Sequence, residues 1–181
     1  MQFVAKGLFA GCLVMLLGAC TASDTRKTFG EGIDDSVLAT KVKSALLADE
    51  VTDGLDVDVE VFRGRVQLNG FVDDVAQVPA ASAIVRDING VVSLSNNLTV
   101  IEEDRRTGEY IDDKVLKGKV STAFTRSAEV SALDIEIEVN RGVVQLGGFV
   151  DYGENVREAE KVASAVAGVE RVINNLEVKS L

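Results

Sequence analysis

From Val57 to Val61, apolar residues alternate with acids: Val57, Val59 and Val61 against Asp58 and Glu60. The alternation returns further on, with Ile135, Ile137 and Val139 set against Glu136 and Glu138. A period of two puts each set on its own face of an extended chain, so both runs predict half-buried strands. Each is followed by an Arg-Gly pair, Arg63-Gly64 or Arg141-Gly142, and then by a second apolar run, Val66-Gln67-Leu68 or Val144-Gln145-Leu146. Gly tolerates the positive φ of a two-residue turn, so each unit predicts a hairpin.

Helical spacing flanks both hairpins. Leu38, Val42, Ala45 and Leu46 recur at i, i+4, i+7 and i+8, as do Leu116, Val120, Ala123 and Phe124, one apolar stripe per helix. Asp34-Asp35 and Asp112-Asp113 precede these stripes and predict capped helix starts; paired carboxylates could also do acid/base work, the alternative for the same residues. After each hairpin, Asp73 or Asp151 is placed to cap a second helix with stripe Ala81, Ile84, Val85, Ile88 or Ala159, Val162, Ala163, Val166. Pro79 falls in the first turn, where its missing N–H costs little. Gly90 and Gly168 end the helices, and a last strand follows at Val92 to Val100 and at Val172 to Val178.

The two halves are copies. With Ile33 set on Ile111, 29 of the 68 positions to Val100 and Val178 are identical at a constant offset of 111 − 33 = 78. The expected class is α+β, two tandem αββαβ domains, each a three-stranded mixed sheet with two helices; the second helix crosses over to make the last strand parallel to its neighbour. The boundaries expected are a leader at 1–19, a polar tether at 20–32, domains at 33–101 and 110–181, and a charged linker at 102–109 that is either a solvated spacer or a hinge.

The leader follows from Lys6 and the apolar run Leu8 to Leu17, long enough for a signal peptide and too short to span a bilayer. It ends in Leu17-Gly18-Ala19-Cys20, which resembles the lipobox of bacterial lipoproteins, and the resemblance makes Cys20 the lipidated first residue of the mature chain. An ordinary signal peptide cut nearby, with Cys20 a spare thiol, is the other reading. With a lipobox, Cys12 is discarded and Cys20 consumed, so no thiol is left for a disulfide or a nucleophile. Thr21 in place of Asp implies, by enterobacterial analogy, the outer membrane.

Charge narrows the partners. The chain carries a formal −10 and has no His and no Trp. Such a surface repels nucleic acid and, on average, anionic lipid, so any phosphate contact needs a local basic patch. The lack of His removes the commonest acid/base side chain and the commonest metal ligand. No nucleophile elbow, phosphate-cradling loop or metal cluster stands out, and neither a cofactor nor an enzymatic activity is expected.

The IDDxVLxxKV opening, the strand-RG-strand hairpin ending in LxGFVD and the close GVERVINNL together resemble the BON domain, named for a bacterial osmotically induced protein and nodulation proteins. The first close, Gly90 to Leu98, departs from the family pattern at Ser93 and Leu94. The resemblance covers both copies. Behind a lipobox it implies an outer-membrane lipoprotein that faces the periplasm, binds anionic phospholipid through the first helix of its second domain, and supports envelope integrity. An osmotic-stress chaperone-like protein or an adaptor for outer-membrane proteins is the alternative it leaves open.

That helix carries Lys114, Lys117, Lys119 and Arg126 in a chain otherwise acidic. At 100° per residue, Lys119 and Arg126 share one flank with the apolar Val115, Lys117 takes the other and Lys114 faces outward. These five residues are the candidate phospholipid contacts, with a merely solvated helix face as the alternative. Ser36 and Ala39 stand at the places of Lys114 and Lys117 in the first copy. Gly118 reads either as room for a ligand or as a tolerated imperfection, and Arg63 and Arg141 either as exposed turn residues or as phosphate contacts.

Overall fold

The computed structural model describes residues 29–52, 57–101, 112–130 and 135–179, with side chains from Asp34 onward. The leader, the lipobox with Cys20, and the linker lie outside the described residues. In chain order the elements are α1 (Phe29–Leu47), β1 (Val57–Phe62), β2 (Arg65–Val72), α2 (Gln77–Arg86) and β3 (Ser93–Val100). The second copy supplies α3 (Asp113–Arg126), β4 (Glu136–Asn140), β5 (Val143–Gly147), β6 (Phe149–Val150), α4 (Gly153–Ser164), β7 (Arg171–Asn174) and β8 (Glu177–Val178). β1 pairs antiparallel with β2, and β2 parallel with β3; β4, β5 and β7 repeat the order, while β6 pairs parallel with β8. The α+β class and the twice-repeated αββαβ order are those the periodicity predicts.

Each sheet buries one face under its own two helices. In the first domain Leu38, Val42 and Leu46 of α1 and Ala81 and Val85 of α2 meet Val59, Val61, Val66, Leu68 and Val72. In the second, Leu116, Val120, Phe124, Ala159 and Ala163 meet Ile137, Val144, Leu146 and Val150. The small Ala at the second-helix positions lets that helix sit close on the sheet.

The acids at the domain openings correct one expectation. Asp35 does not cap α1. That helix begins at Phe29, inside the stretch read as a tether. Its carboxylate, buried, instead accepts the N–H groups of Arg63 and Gly64 at 2.8 and 3.0 Å. Asp113 does the same for Arg141 and Gly142, at 3.0 and 3.3 Å. Both turn residues in each copy have positive φ, 51° and 75° in the first and 49° and 76° in the second, and this exposes two amide donors to one carboxylate. Asp112 does cap, its Oδ1 accepting from Lys114 N at 2.8 Å.

Asp73 and Asp151 are not caps either. Asp74 accepts from Ala76 N at the entrance to α2, and Asn155 from Tyr152 N at that of α4. Asp151 pairs with Lys179 at 3.1 Å. The final strand of the second copy is interrupted, β7 ending at Asn174 and β8 resuming at Glu177.

Candidate functional site

The faces of β2 and β5 turned away from the helices meet each other. Gln67 lies across the second domain, its Oε1 accepting from Gly148 N at 2.9 Å and its Nε2 donating to Asn175 O at 3.2 Å. Gln145 lies across the first in the same way, to Gly70 N at 2.7 Å and Asn97 O at 2.6 Å. All three positions of one set lie 78 residues from those of the other, so the duplicated sequence closes on itself about a local twofold. Both Gln side chains are buried. Each presents a donor and an acceptor like an added peptide group and satisfies backbone groups that its partner's own ladder leaves open.

On the twofold itself two copies of one residue cannot both fit. Asn69 occupies it from the first domain and its counterpart is Gly147. A Cβ on Gly147 would lie 2.3 Å from Asn69 Nδ2 and 2.5 Å from its Cγ. Away from the axis the seam is asymmetric. Phe62 stacks at a tilt on Phe149, with ring centroids 5.6 Å apart, and Arg65 lies over Phe149 and pairs with Glu177. Glu177 also accepts from Ser95 Oγ at 2.6 Å. Burial pushes its carboxyl upward, but the hydrogen bonds from Ser95, Gln67 and Arg65 outweigh that and hold it low.

At the β1–β4 side the seam is acidic. Carboxylate oxygens of Asp58, Glu136 and Glu138 lie within 4.8 Å of one another, all half-buried. These strand-face acids are not simply solvated, as the alternation alone suggests. Burial, then the contact with Asp58, raises Glu138 to about 7 against the pull of Lys117; burial and Asp58 raise Glu136 as well. Lys117 Nζ sits 2.9 Å from Glu138 Oε1. Burial lowers the Lys117 value, and the surrounding carboxylates more than restore it. Three carboxylates at this spacing are the one grouping among the described residues with enough oxygens for a divalent cation, and the Lys117 ammonium already supplies positive charge there.

The sequence-predicted basic residues are therefore divided. Lys117 belongs to the seam. Lys114, Val115, Lys119 and Arg126 are exposed on α3, Val115 at 53 %. Val115, Lys119 and Arg126 follow at i, i+4 and i+11, one flank of the helix. An added Cβ at Gly118 would meet nothing within 4 Å. In the first domain, Val37 stands where Val115 does and is exposed, but Ala48 at the place of Arg126 leaves Lys41 as the basic residue of that flank. Arg63 lines a cleft of about 480 Å³ with Lys41, Val37 and Val92, beside the turn it helps to form.

The seam residues carry no motif that would flag them. A signal is that Gln67 and Gln145, like their cross-strand neighbours Glu60 and Glu138, repeat identically on the strand face opposite the core, where a solvated face would be free to vary.

The chain belongs to the BON-domain family, whose model matches residues 34–102 and again 112–180. It is similar to the osmotically-inducible protein Y of Escherichia coli (strain K12), 33 % identical over 153 residues, covering 83 % of this chain and 75 % of that one. It is also similar to the outer membrane lipoprotein DolP of Haemophilus influenzae, 30 % identical over 169 residues, 90 % of this chain and 86 % of the relative. Among solved structures, the C-terminal domain of CdsD from the type III secretion system of Chlamydia trachomatis overlaps at a TM-score of 0.32 with 12 % identity, over 80 % of this chain and 66 % of that one.

Proposed function

We propose that this is a non-catalytic, envelope-associated lipoprotein, anchored through Cys20 to the outer membrane and facing the periplasm, that binds anionic phospholipid through α3 of its second BON domain and supports outer-membrane integrity. The observation that carries the reading is the open flank of α3. An exposed Val115 lies beside Lys119 and Arg126, with Lys114 at the helix start, in a chain of formal charge −10. Lys/Arg heads on such a flank meet phosphates while the apolar side chain and the Lys stems approach the acyl region. The similarity to an outer membrane lipoprotein over nine-tenths of the chain supports the envelope setting. Lys117 contributes less to lipid than its neighbours, because Glu138 holds its ammonium.

The test is binding of the chain from Thr21 onward to vesicles with and without phosphatidylglycerol or cardiolipin. Each basic residue near an anionic surface contributes about 1 kcal/mol, so Lys114→Glu with Lys119→Glu weakens binding roughly 100-fold, and salt weakens the wild type. Lys41→Glu with Arg86→Glu, in the first domain, leaves it near the wild-type value. Equal loss in both pairs, or none in the first, removes α3 as the lipid site. Cys20→Ala releases the chain from the membrane fraction after a high-salt wash; quantitative retention would refute the anchor.

A second reading, an adaptor that contacts envelope proteins, draws on the first domain. Leu47, Val51 and Val75 are exposed in it, where the second copy has Thr125, Glu129 and Gly153. Binding that ignores headgroup charge would favour it.

A further inference from the structure

We propose that the seam between the two BON domains is a proton-responsive latch: the carboxylates of Asp58, Glu136 and Glu138 close it when they share a proton and loosen it when all three are charged. The proposal stands on where the three groups sit. Asp58 comes from β1 of one domain and Glu136 and Glu138 from β4 of the other, so their repulsion acts directly across the seam and can be relieved by separating the domains. Asp58 and Glu136 are also 78 residues apart, equivalent positions in the duplication, so the local twofold itself brings like charge onto like charge.

The charged groups around them temper the repulsion, yet Glu136 and Glu138 stay raised with Lys117 in place. Glu60 on β1 adds to the repulsion felt by Glu136. Lys117 on α3 compensates from within the second domain. Lys43 on α1 approaches Asp58 at 3.9 Å from within the first. The ion pairs of Lys117 with Glu138 and of Lys43 with Asp58 each lie within one domain, while Lys117 is also drawn to Asp58 across the seam.

The sign follows from linkage. Glu138 titrates near 7 with the seam closed and near its ordinary 4.5 once solvated, so the closed state binds the proton more tightly. The contribution to closure is complete below about pH 4.5 and is lost as the pH rises through 7. For a single group with these two values, the ratio of open to closed seam grows up to about tenfold between pH 6 and pH 8. Screening at a half-exposed carboxylate trims that figure. The remaining contacts of Gln67, Gln145, Phe62 and Phe149 oppose full separation, so the expected change is in how often the seam opens.

Two amides report the seam specifically, because Gly70 N and Gly148 N donate to the Gln of the opposite domain. Hydrogen exchange of the chain from Thr21 onward, followed by NMR in EDTA and corrected for intrinsic rates, compares them with Leu68 and Leu146 in the strand interiors. Protection at Gly70 and Gly148 is expected to fall severalfold, at most about tenfold, from pH 6 to pH 8 relative to those interior amides. Glu138→Gln, neutral at every pH and nearly isosteric, is expected to remove the fall, while Glu154→Gln on the surface of α4 leaves it in place. Protection that moves in parallel at seam and interior, or a Glu138→Gln seam that keeps the wild-type pH response, overturns the latch.

Discussion

The two domains share one topology and differ in what they show to the surroundings. Identity is kept where one copy holds itself or the other together: Asp35 and Asp113 on the Arg-Gly turns, Gln67 and Gln145 across the seam, Asn97 and Asn175 beneath them. It is lost on the outer flank of the first helix, where Ser36, Ala39 and Thr40 face Lys114, Lys117 and Gly118. A duplicated chain thus carries an internal control. Positions held by a turn, and the Gln pair across the seam, meet demands common to both copies, whereas the residues on the axis, at the seam's edges and on the flanks are free to diverge.

The largest expected break in that equivalence is in the cores. Phe124 and Leu46 occupy the same position of α3 and α1, and both are buried. Phe124→Ala is expected to cost about 3–5 kcal/mol and Leu46→Ala about 2–5, the larger loss following the larger cavity. Urea denaturation of each variant measures both, and a smaller loss at Phe124 would mean that its pocket collapses where the smaller one does not.

Next comes the axis. Gly147→Asn restores the residue found at 69 and creates a clash at buried Asn69 that should cost about 1–3 kcal/mol. Adding Asn69→Gly reverses the two roles and should recover most of the loss. A double variant no better than Gly147→Asn alone would show that the two sites are not coupled through the twofold.

The hairpin turns separate the copies more finely. A Cβ at Gly64 would meet Gly90 O and Val92 Cγ2, both at 2.8 Å, whereas at Gly142 it meets the movable Glu170 side chain at 3.0 Å and Gly168 O at 3.3 Å. Both glycines also need positive φ, a strain for any β-branched residue. Gly64→Val should cost about 2–3 kcal/mol and Gly142→Val about 1–2, by shift in denaturation midpoint. Arg141→Ala should cost a few tenths, since one L-residue replaces another at the same φ.

These contrasts mark how far the sequence could be read. Alternation and helical spacing specify the elements because burial against a covering layer is a local, periodic demand. The hairpin was legible because Arg63-Gly64 and Arg141-Gly142 stand between two apolar runs. The carboxylates of Asp35 and Asp113 were legible as important but not as turn clamps, since their partners lie 28 and 29 residues away. The seam was not legible. Gln67, Asp58 and Glu138 look like solvated strand residues until a second sheet is laid on them, and no local pattern encodes that meeting. For the same reason Lys117 reads as a lipid-facing residue on the far flank of α3, while the fold places it against Glu138.

Gly118 gives the smallest effect and the sharpest contrast with the seam glycine. At Gly147 the missing side chain is occupied by another domain; at Gly118 an added Cβ would enter open space, and Thr40 stands at the equivalent place in α1. Nothing in the fold therefore requires glycine there, and its backbone freedom weakens the middle of α3. Gly118→Ala should stabilise the protein by about 0.5–1 kcal/mol, from helix propensity and a less free unfolded chain. Two measurements divide the explanations. If stability rises and vesicle binding is unchanged, the glycine is a tolerated imperfection. If stability rises while binding to anionic vesicles falls severalfold, the bare backbone at Gly118 is part of the lipid-facing flank, and the methyl group holds Val115 and Lys119 away from the bilayer.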